Sequence, residues 1–577
     1  AENDYLTNGF WAGNYGEELK PKKLSVRFFV RMDDVSKRIL AQVNDKMSET
    51  EREAAINREI AKIEQENSEG GKYTVSVKSF YQGNEFYYFV YQDYNDVRLV
   101  GTPPANIGKF GGDTDNWEWP RHTGDFSLFR VYADRDGNPA EYSPDNVPLK
   151  PKYHLTTSLK GFEENDFAMI LGYPGRTNRW MPAGGIQQNV DYAYPAWVEA
   201  SKTSMDVMKK YMDKDQQVKL DYASSYASIA NYWKNRQGMI DALKQHKTAE
   251  SKQKDEKAFQ KWASKKANKK YEDVIPVINN YYENTNKASA HDNYLGLLLR
   301  TRMATIPYRL GNSIDYYLQQ NEAKQAEVKP KLEAEINDLY EGIYMPLEKD
   351  VLAAQLKLYS TKAENVAPLV ARIATANNKS EAGWNDYLNT AFENSIFQSK
   401  EKLEAFMANP DAEVLKNDPL FQLSTDLLKR YRYESEEEKQ LKNDFERAYR
   451  LMVQGMREMN PDAKYYPDAN STLRLTYGKV IALPEDKRND AVKNYYTTLK
   501  GTIAKYQPGD DEFDMPKKLI DLYEKKDFGQ YADDDGYLPV NFLTDNDITG
   551  GNSGSPVLNG KGELIGLAFD GNIEAMA

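Results

Sequence analysis

The sequence predicts an α+β protein in which two β-rich regions flank a long helical one, and three observations predict it. Between residues 24 and 172, short apolar or alternating runs are separated by glycine, proline and aspartate turns. From about Gly185 the chain turns to Ala, Lys, Glu, Gln and Tyr at helical spacing, with few β-branched runs. Strand character returns at 471–477, and the chain then reaches a glycine-rich turn, 549–556, that feeds a hairpin. The expected division is 1–185 as the first part of a β domain, 186–469 as an inserted helical domain, and 470–577 as the second β part.

Taken in order, 24–30 reads as a strand and 33–64 as an amphipathic helix ending in the turn Ser68-Glu69-Gly70-Gly71. Strands are expected at 73–80, 85–91, 97–101, 126–133 and 167–172, together forming the first half of a barrel. The acidic, aromatic string 115–119 falls in a long loop before the fourth of these, and loops at a barrel rim are where substrate groups are read. In the helical region the Lys- and Glu-dense stretch 244–270 is a solvated face, and Pro330, Pro346 and Pro410 are expected to break the zone into separate helices. No repeat period is present, so the region reads as one inserted domain rather than a solenoid.

Composition excludes several function classes. The chain has 76 Lys and Arg against 88 Asp and Glu, a net charge of −12, with no basic block, so nucleic acid is not an expected partner. No apolar run approaches the ~18 residues that span a bilayer, so stable membrane insertion is not expected. There is no cysteine, and no His and carboxylate cluster shows ligand spacing, so neither a metal nor another cofactor is called for.

The chemistry is concentrated at Gly551-Asn552-Ser553-Gly554-Ser555-Pro556. Glycine frees the backbone there, so the amides of Gly551 and Ser553 can converge on one point beside the Ser553 hydroxyl, as a nucleophile with an oxyanion hole requires. Val557-Leu558, the turn 559–562 and the run 564–569 then read as a hairpin ending in Asp570-Gly571. This arrangement resembles the trypsin-like serine proteases element by element. The resemblance implies a chymotrypsin-like double β-barrel with the helical region inserted, and a triad aspartate upstream at the start of a strand. Asp125, opening 125–132 with Phe126 and Leu128 alternating, fits that role. A base is harder to place. His122 lies three residues before Asp125 and reads as a loop-bracing hydrogen-bonding residue, while His154, His246 and His291 read as surface residues.

The strings Gly112-Asp113-Thr114-Asp115-Asn116-Trp117-Glu118-Trp119-Pro120-Arg121-His122-Thr123-Gly124-Asp125-Phe126 and Asn546-Asp547-Ile548-Thr549-Gly550-Gly551-Asn552-Ser553-Gly554-Ser555 resemble the bacterial S46 peptidases over essentially the whole chain. That resemblance implies a serine exopeptidase releasing dipeptides from oligopeptides, with the helical insert closing one end of the cleft. It assigns capture of the free α-amino group to Asn116, Trp117, Asn231 and Asp570. It implies a homodimer in the periplasm or at the surface of a Gram-negative bacterium. It places the triad histidine in an Asn-His-His-Cys motif that this chain does not contain, so the sequence resembles a member cut at both ends. A catalytically inactive peptide-binding fragment therefore stands as an alternative, whereas an endopeptidase would leave the helical insert without a role. Gly571, eighteen residues beyond Ser553, occupies the position where the family carries arginine in Asp/Glu-cleaving members and glycine in members accepting hydrophobic residues. A preference for hydrophobic residues before the scissile bond is expected, the acidic-specific reading being the alternative. Asp570 is expected to be a carboxylate whose partner is the substrate amine, so that a blocked amine leaves it buried and unpaired.

Overall fold

Strands form where β-branched and aromatic residues concentrate. In the computed structural model, which describes residues 4–484 and 495–576, they are β1 (Phe10–Trp11), β2 (Val26–Asp34), β3 (Thr74–Phe80), β4 (Glu85–Tyr94), β5 (Val97–Thr102), β6 (Leu128–Ala133), β7 (Val147–Pro148), β8 (Phe167–Gly172), β9 (Arg474–Lys479), β10 (Tyr496–Thr498), β11 (Pro539–Phe542), β12 (Pro556–Leu558) and β13 (Leu564–Leu567). With the helices between them they make an α+β protein. The opening residues 1–3 and the final Ala577 lie outside the described residues.

The chain divides into two units. One comprises Ala1–Met181, Trp262–Tyr271 and Glu446–Ala575 and contains every strand above. Its sheets have the orders β1-β5-β6-β7, β2-β4-β3, β13-β12-β8-β9 and β10-β11. The helix Glu49–Asn67, started by a reciprocal Ser48–Glu51 capping box, packs Ile63 on Val35, Ile39 and Phe86 beside the β2-β4-β3 sheet. Beneath the β13-β12-β8-β9 sheet lies a small core of Ala168, Ile170, Val480, Val557 and Ala568. The other unit, Pro182–Lys261 and Glu272–Phe445 with Met576–Ala577, is helical. Its core runs from Ala196 to Leu427 and buries Trp384, Phe397, Leu310 and Leu352 completely.

Several expectations are corrected. The stretch 167–172 does not belong with the N-terminal strands: β8 pairs antiparallel with β9 and with β12, so Ile170 lies opposite Thr476 on one side and Val557 on the other. A central strand takes partners that its own pattern does not encode. The expected helix over 33–64 begins later, because Met32, Asp33 and Asp34 extend β2 along β4 and a short helix, Ser36–Leu40, intervenes. Phe126 and Leu128 are exposed, 37% and 48%, and so is Phe129 on the opposite face at 48%, so neighbouring positions do not alternate; burial in β6 falls at its far end, on Tyr132 and Ala133. Pro330 does not break the helical zone but lies inside the helix Glu322–Tyr340. The buried face of Leu332, Ile336 and Tyr340 outweighs the lost hydrogen bond, which costs about 3 kcal/mol. His291 is not at the surface: it is buried, its Nδ1 lying 2.6 Å from the Glu364 carbonyl.

Candidate active site

Ser553 is displayed by a turn locked from beneath. The Asn552 amide donates to the Thr549 carbonyl at 3.0 Å and the Ser555 amide to the Asn552 carbonyl at 2.9 Å, closing two consecutive turns around the serine. Asn552 and Ser555 point inward and are buried, while Ser553 is exposed. Beneath them Gly172 ends β8, and a Cβ there would overlap both the Ser555 hydroxyl and the Asn552 amide oxygen. Gly551 adopts φ +104°, and a Cβ on it would come 2.5 Å from the Tyr173 carbonyl oxygen. Only glycine meets both demands. Among the described residues the amides of Gly551 and Ser553 donate to no acceptor, as an oxyanion site needs before substrate arrives.

After β13 the ladder continues: Gly554 donates to Ala568 at 2.7 Å and Ala568 to Ser555 at 2.9 Å. This carries the segment through Phe569, whose carbonyl accepts from Ser553 Oγ at 3.3 Å, to Asp570 and Gly571. The Asp570 carboxylate is not waiting unpaired, which corrects the expectation from sequence. Its Oδ2 accepts from Arg121 Nη1 at 2.8 Å and from the Trp117 amide at 3.4 Å, and its Oδ1 from the Gly571 amide at 2.9 Å. Trp117 has φ +64°, uncommon for a large side chain, and is clamped there because its carbonyl also accepts from Ile573 at 2.9 Å. A Cβ built on Gly571 would lie 3.5 Å from Trp117 Cζ3, so position 571 faces that indole. Of the neighbours expected to form an apolar pocket, Leu567 is exposed and Phe569 lies under the Arg121 guanidinium, 5.7 Å from its ring centre.

Arg121 escaped the sequence reading, although it is the cation in a string that also carries Asp113, Asp115, Glu118 and Asp125. Its Nη1 also donates to the Asp115 carbonyl at 2.8 Å, and Lys505 Nζ holds the Asp115 carboxylate at 2.7 Å. Its own carbonyl accepts from Thr497 Oγ1 and Asn541 Nδ2, at 2.7 and 3.0 Å. Glu512 secures the front of the same loop through the Asp113 amide and the Thr114 hydroxyl.

Asp125 lies just before β6, exposed, and accepts no hydrogen bond among the described residues. Surrounding protein raises its carboxyl above the ordinary range by desolvation; Arg121 pulls it down and Asp570 pushes it up. These three groups therefore share one electrostatic neighbourhood. His122 does not brace the loop by hydrogen bonding as expected: it is buried and neither ring nitrogen has a partner. Desolvation first, then Lys505, lowers its pKa to about 3, which leaves it neutral and unsuited to taking a proton from Ser553. Among the described residues no histidine is hydrogen-bonded to Ser553 or Asp125. Asn116 is half-buried in the Trp117 loop, and Asn231 is half-buried on the helix Gln216–Gln245 of the helical unit. Among the described residues no cluster of three His, Asp or Glu could hold a metal, and no helix is long and apolar enough to cross a membrane.

A serine exposed on a strained glycine turn beside free amides, at the end of an antiparallel hairpin, is the nucleophile arrangement of a serine peptidase. The chain belongs to the Peptidase S46 family, whose model matches residues 1–577. It is 56% identical to dipeptidyl-peptidase 7 of Capnocytophaga gingivalis over all of this chain and 80% of that protein. It is 38% identical to an Asp/Glu-specific dipeptidyl-peptidase of Flavobacterium psychrophilum over 99% of this chain and 79% of that one. The crystal structure of Porphyromonas endodontalis DPP11 with the dipeptide Arg-Glu superposes with a TM-score of 0.89 at 32% identity, covering 100% of this chain and 83% of that one.

Proposed function

We propose that the protein is a serine exopeptidase that releases dipeptides from the free N-terminus of oligopeptides and prefers a hydrophobic residue before the scissile bond. The observation that carries this is the turn exposing Ser553 beside unpaired Gly551 and Ser553 amides, in a chain 56% identical to a dipeptidyl-peptidase 7. Ser553 Oγ attacks the peptide carbonyl while its proton passes to a histidine, which the family resemblance supplies as the base. The Gly551 and Ser553 amides hold the oxyanion. Asp125 orients the histidine. The C–N bond breaks as the histidine returns the proton to the leaving amine, and water then hydrolyses the acyl-enzyme.

In this reading Asn116, Trp117 and Asp570 receive the substrate amine, and Asn231 is carried as a further amine-binding residue by the resemblance alone. Residues 1–185 and 470–577 make a chymotrypsin-like double barrel, with 186–469 as an inserted helical domain. The enzyme is a homodimer of the periplasm or cell surface of a Gram-negative bacterium, acting on peptides without metal or cofactor. The hydrophobic preference rests on Gly571, which puts no cation beside Trp117, whereas an arginine there would supply fixed charge for a carboxylate.

The test uses the full-length protein. Ser553→Ala should lower kcat by on the order of 10⁴-fold or more while peptide binding persists. Retained turnover in that variant removes Ser553 from the mechanism. A matched pair of dipeptidyl substrates ending in Leu and Asp then addresses preference: the Leu substrate should be favoured, and Gly571→Arg should shift preference toward Asp. A clear Asp preference in the unaltered enzyme would favour the acidic-specific alternative.

A further inference from the structure

We propose that Arg121 is the positioning residue of this site: its guanidinium fixes the Asp570 carboxylate against the Trp117 loop and serves as the shared counter-cation of Asp570 and Asp125. This rests on the peptidase reading above and adds to it a residue which that reading does not use. Arg121 and Asp570 are a close pair at 2.8 Å with side chains only 12% and 17% exposed, so neither charge is well hydrated. Removing one partner of such a pair leaves the other stranded.

Arg121 cannot easily move to serve a different group. Its main-chain carbonyl is held by Thr497 and Asn541, and its Nη1 is shared between Asp570 and the Asp115 carbonyl. The other charges around it are committed or neutral: Lys505 pairs with the Asp115 carboxylate, and buried His122 is uncharged. Arg121 is therefore the cation paired with Asp570, on the segment leading from Ser553, and its charge also acts on Asp125, on the strand-entry loop. Without it Asp570 would keep the Gly571 amide and the long Trp117 contact but lose its shortest, charged partner, and the repulsion between Asp570 and Asp125 would go uncompensated. A substrate ammonium would then meet an acceptor held by the Gly571 amide alone at short range and less firmly fixed against the Trp117 amide.

Three variants of the full-length enzyme test this. Arg121→Gln should raise KM for a free-amine dipeptidyl substrate roughly tenfold or more, with a smaller fall in kcat. It should also move the acidic limb of the pH profile for fluorophosphonate labelling of Ser553 to higher pH, because losing a cation favours protonation of Asp125 and of any base beside it. Fluorophosphonate labelling requires no substrate amine, so it reads the charge effect separately. Arg121→Lys keeps charge but loses the planar fork, and should leave the limb near the unaltered enzyme's while KM stays raised. Arg121→Gln with Asp570→Asn removes cation and anion together and should bring the limb back. A limb that stays put in Arg121→Gln, or fails to return in the double variant, overturns the proposal. If Arg121→Gln does not fold, an unmoved KM in Arg121→Lys overturns it alone. Failure of the peptidase reading would show differently, as turnover surviving Ser553→Ala.

Discussion

Two residues before Gly124, a buried imidazole with no hydrogen-bond partner makes a pH-dependent contribution to stability. His122 has a folded pKa of about 3, against an ordinary value near 6.5 in the unfolded chain. Between those values the unfolded state binds a proton that the folded state refuses, so stability falls as pH falls. Above pH 6.5 the effect is absent; within the window each pH unit descended costs about 1.4 kcal/mol. His122→Leu should flatten this acid-side slope, seen in thermal midpoints between pH 4 and 7 compared with the unaltered protein. An identical slope in the variant would mean that the ring is protonated or solvated in the folded state. The packing at this residue lay beyond the sequence. The three-residue spacing from Asp125 was visible, but not that Gly501 packs where a Cβ would overlap the imidazole.

The turn 549–556 is the element whose shape was most legible, because glycine and proline at fixed offsets dictate backbone shape whatever lies around them. Its support was not legible: the turn stands on β8, far away in sequence, and the pattern of 167–172 shows a half-buried strand without naming its partners. That dependence gives a prediction. Gly172→Ala forces a methyl group against Ser555 and Asn552, both buried and tied into the turn. Overpacking of this kind costs typically 1–3 kcal/mol, and here the strain falls on the segment presenting Ser553. The fluorophosphonate labelling rate of the full-length variant should drop by roughly tenfold or more, with far-ultraviolet circular dichroism unchanged. A labelling rate equal to that of the unaltered enzyme would show that β8 does not set the turn.

At the scale of the whole molecule, the helical region and the β-rich ends separated in the sequence because their hydrophobic periods differ. The join between them did not, since the helix Glu436–Met459 runs across the division at Glu446 without a break in its pattern. In the proposed reading the substrate amine is received at Asp570, which already pairs with Arg121. An acetylated substrate does not strand Asp570, because Arg121 still neutralises it. The penalty is instead the lost charge-assisted hydrogen bond, about 1.5–3 kcal/mol, together with the bulk of the acyl group beside Trp117. That corresponds to a loss of roughly ten- to a hundredfold in kcat/KM, rather than the larger penalty of an orphaned buried charge. Incubating the full-length enzyme with an octapeptide and its N-acetyl form, and following products by mass spectrometry, measures this directly. The free peptide should shorten two residues at a time from its N-terminus, and the acetylated form should lag by at least tenfold. Equal rates for the two forms, or internal cleavage of the acetylated peptide, would mean that the amine is not read and that the enzyme cuts as an endopeptidase.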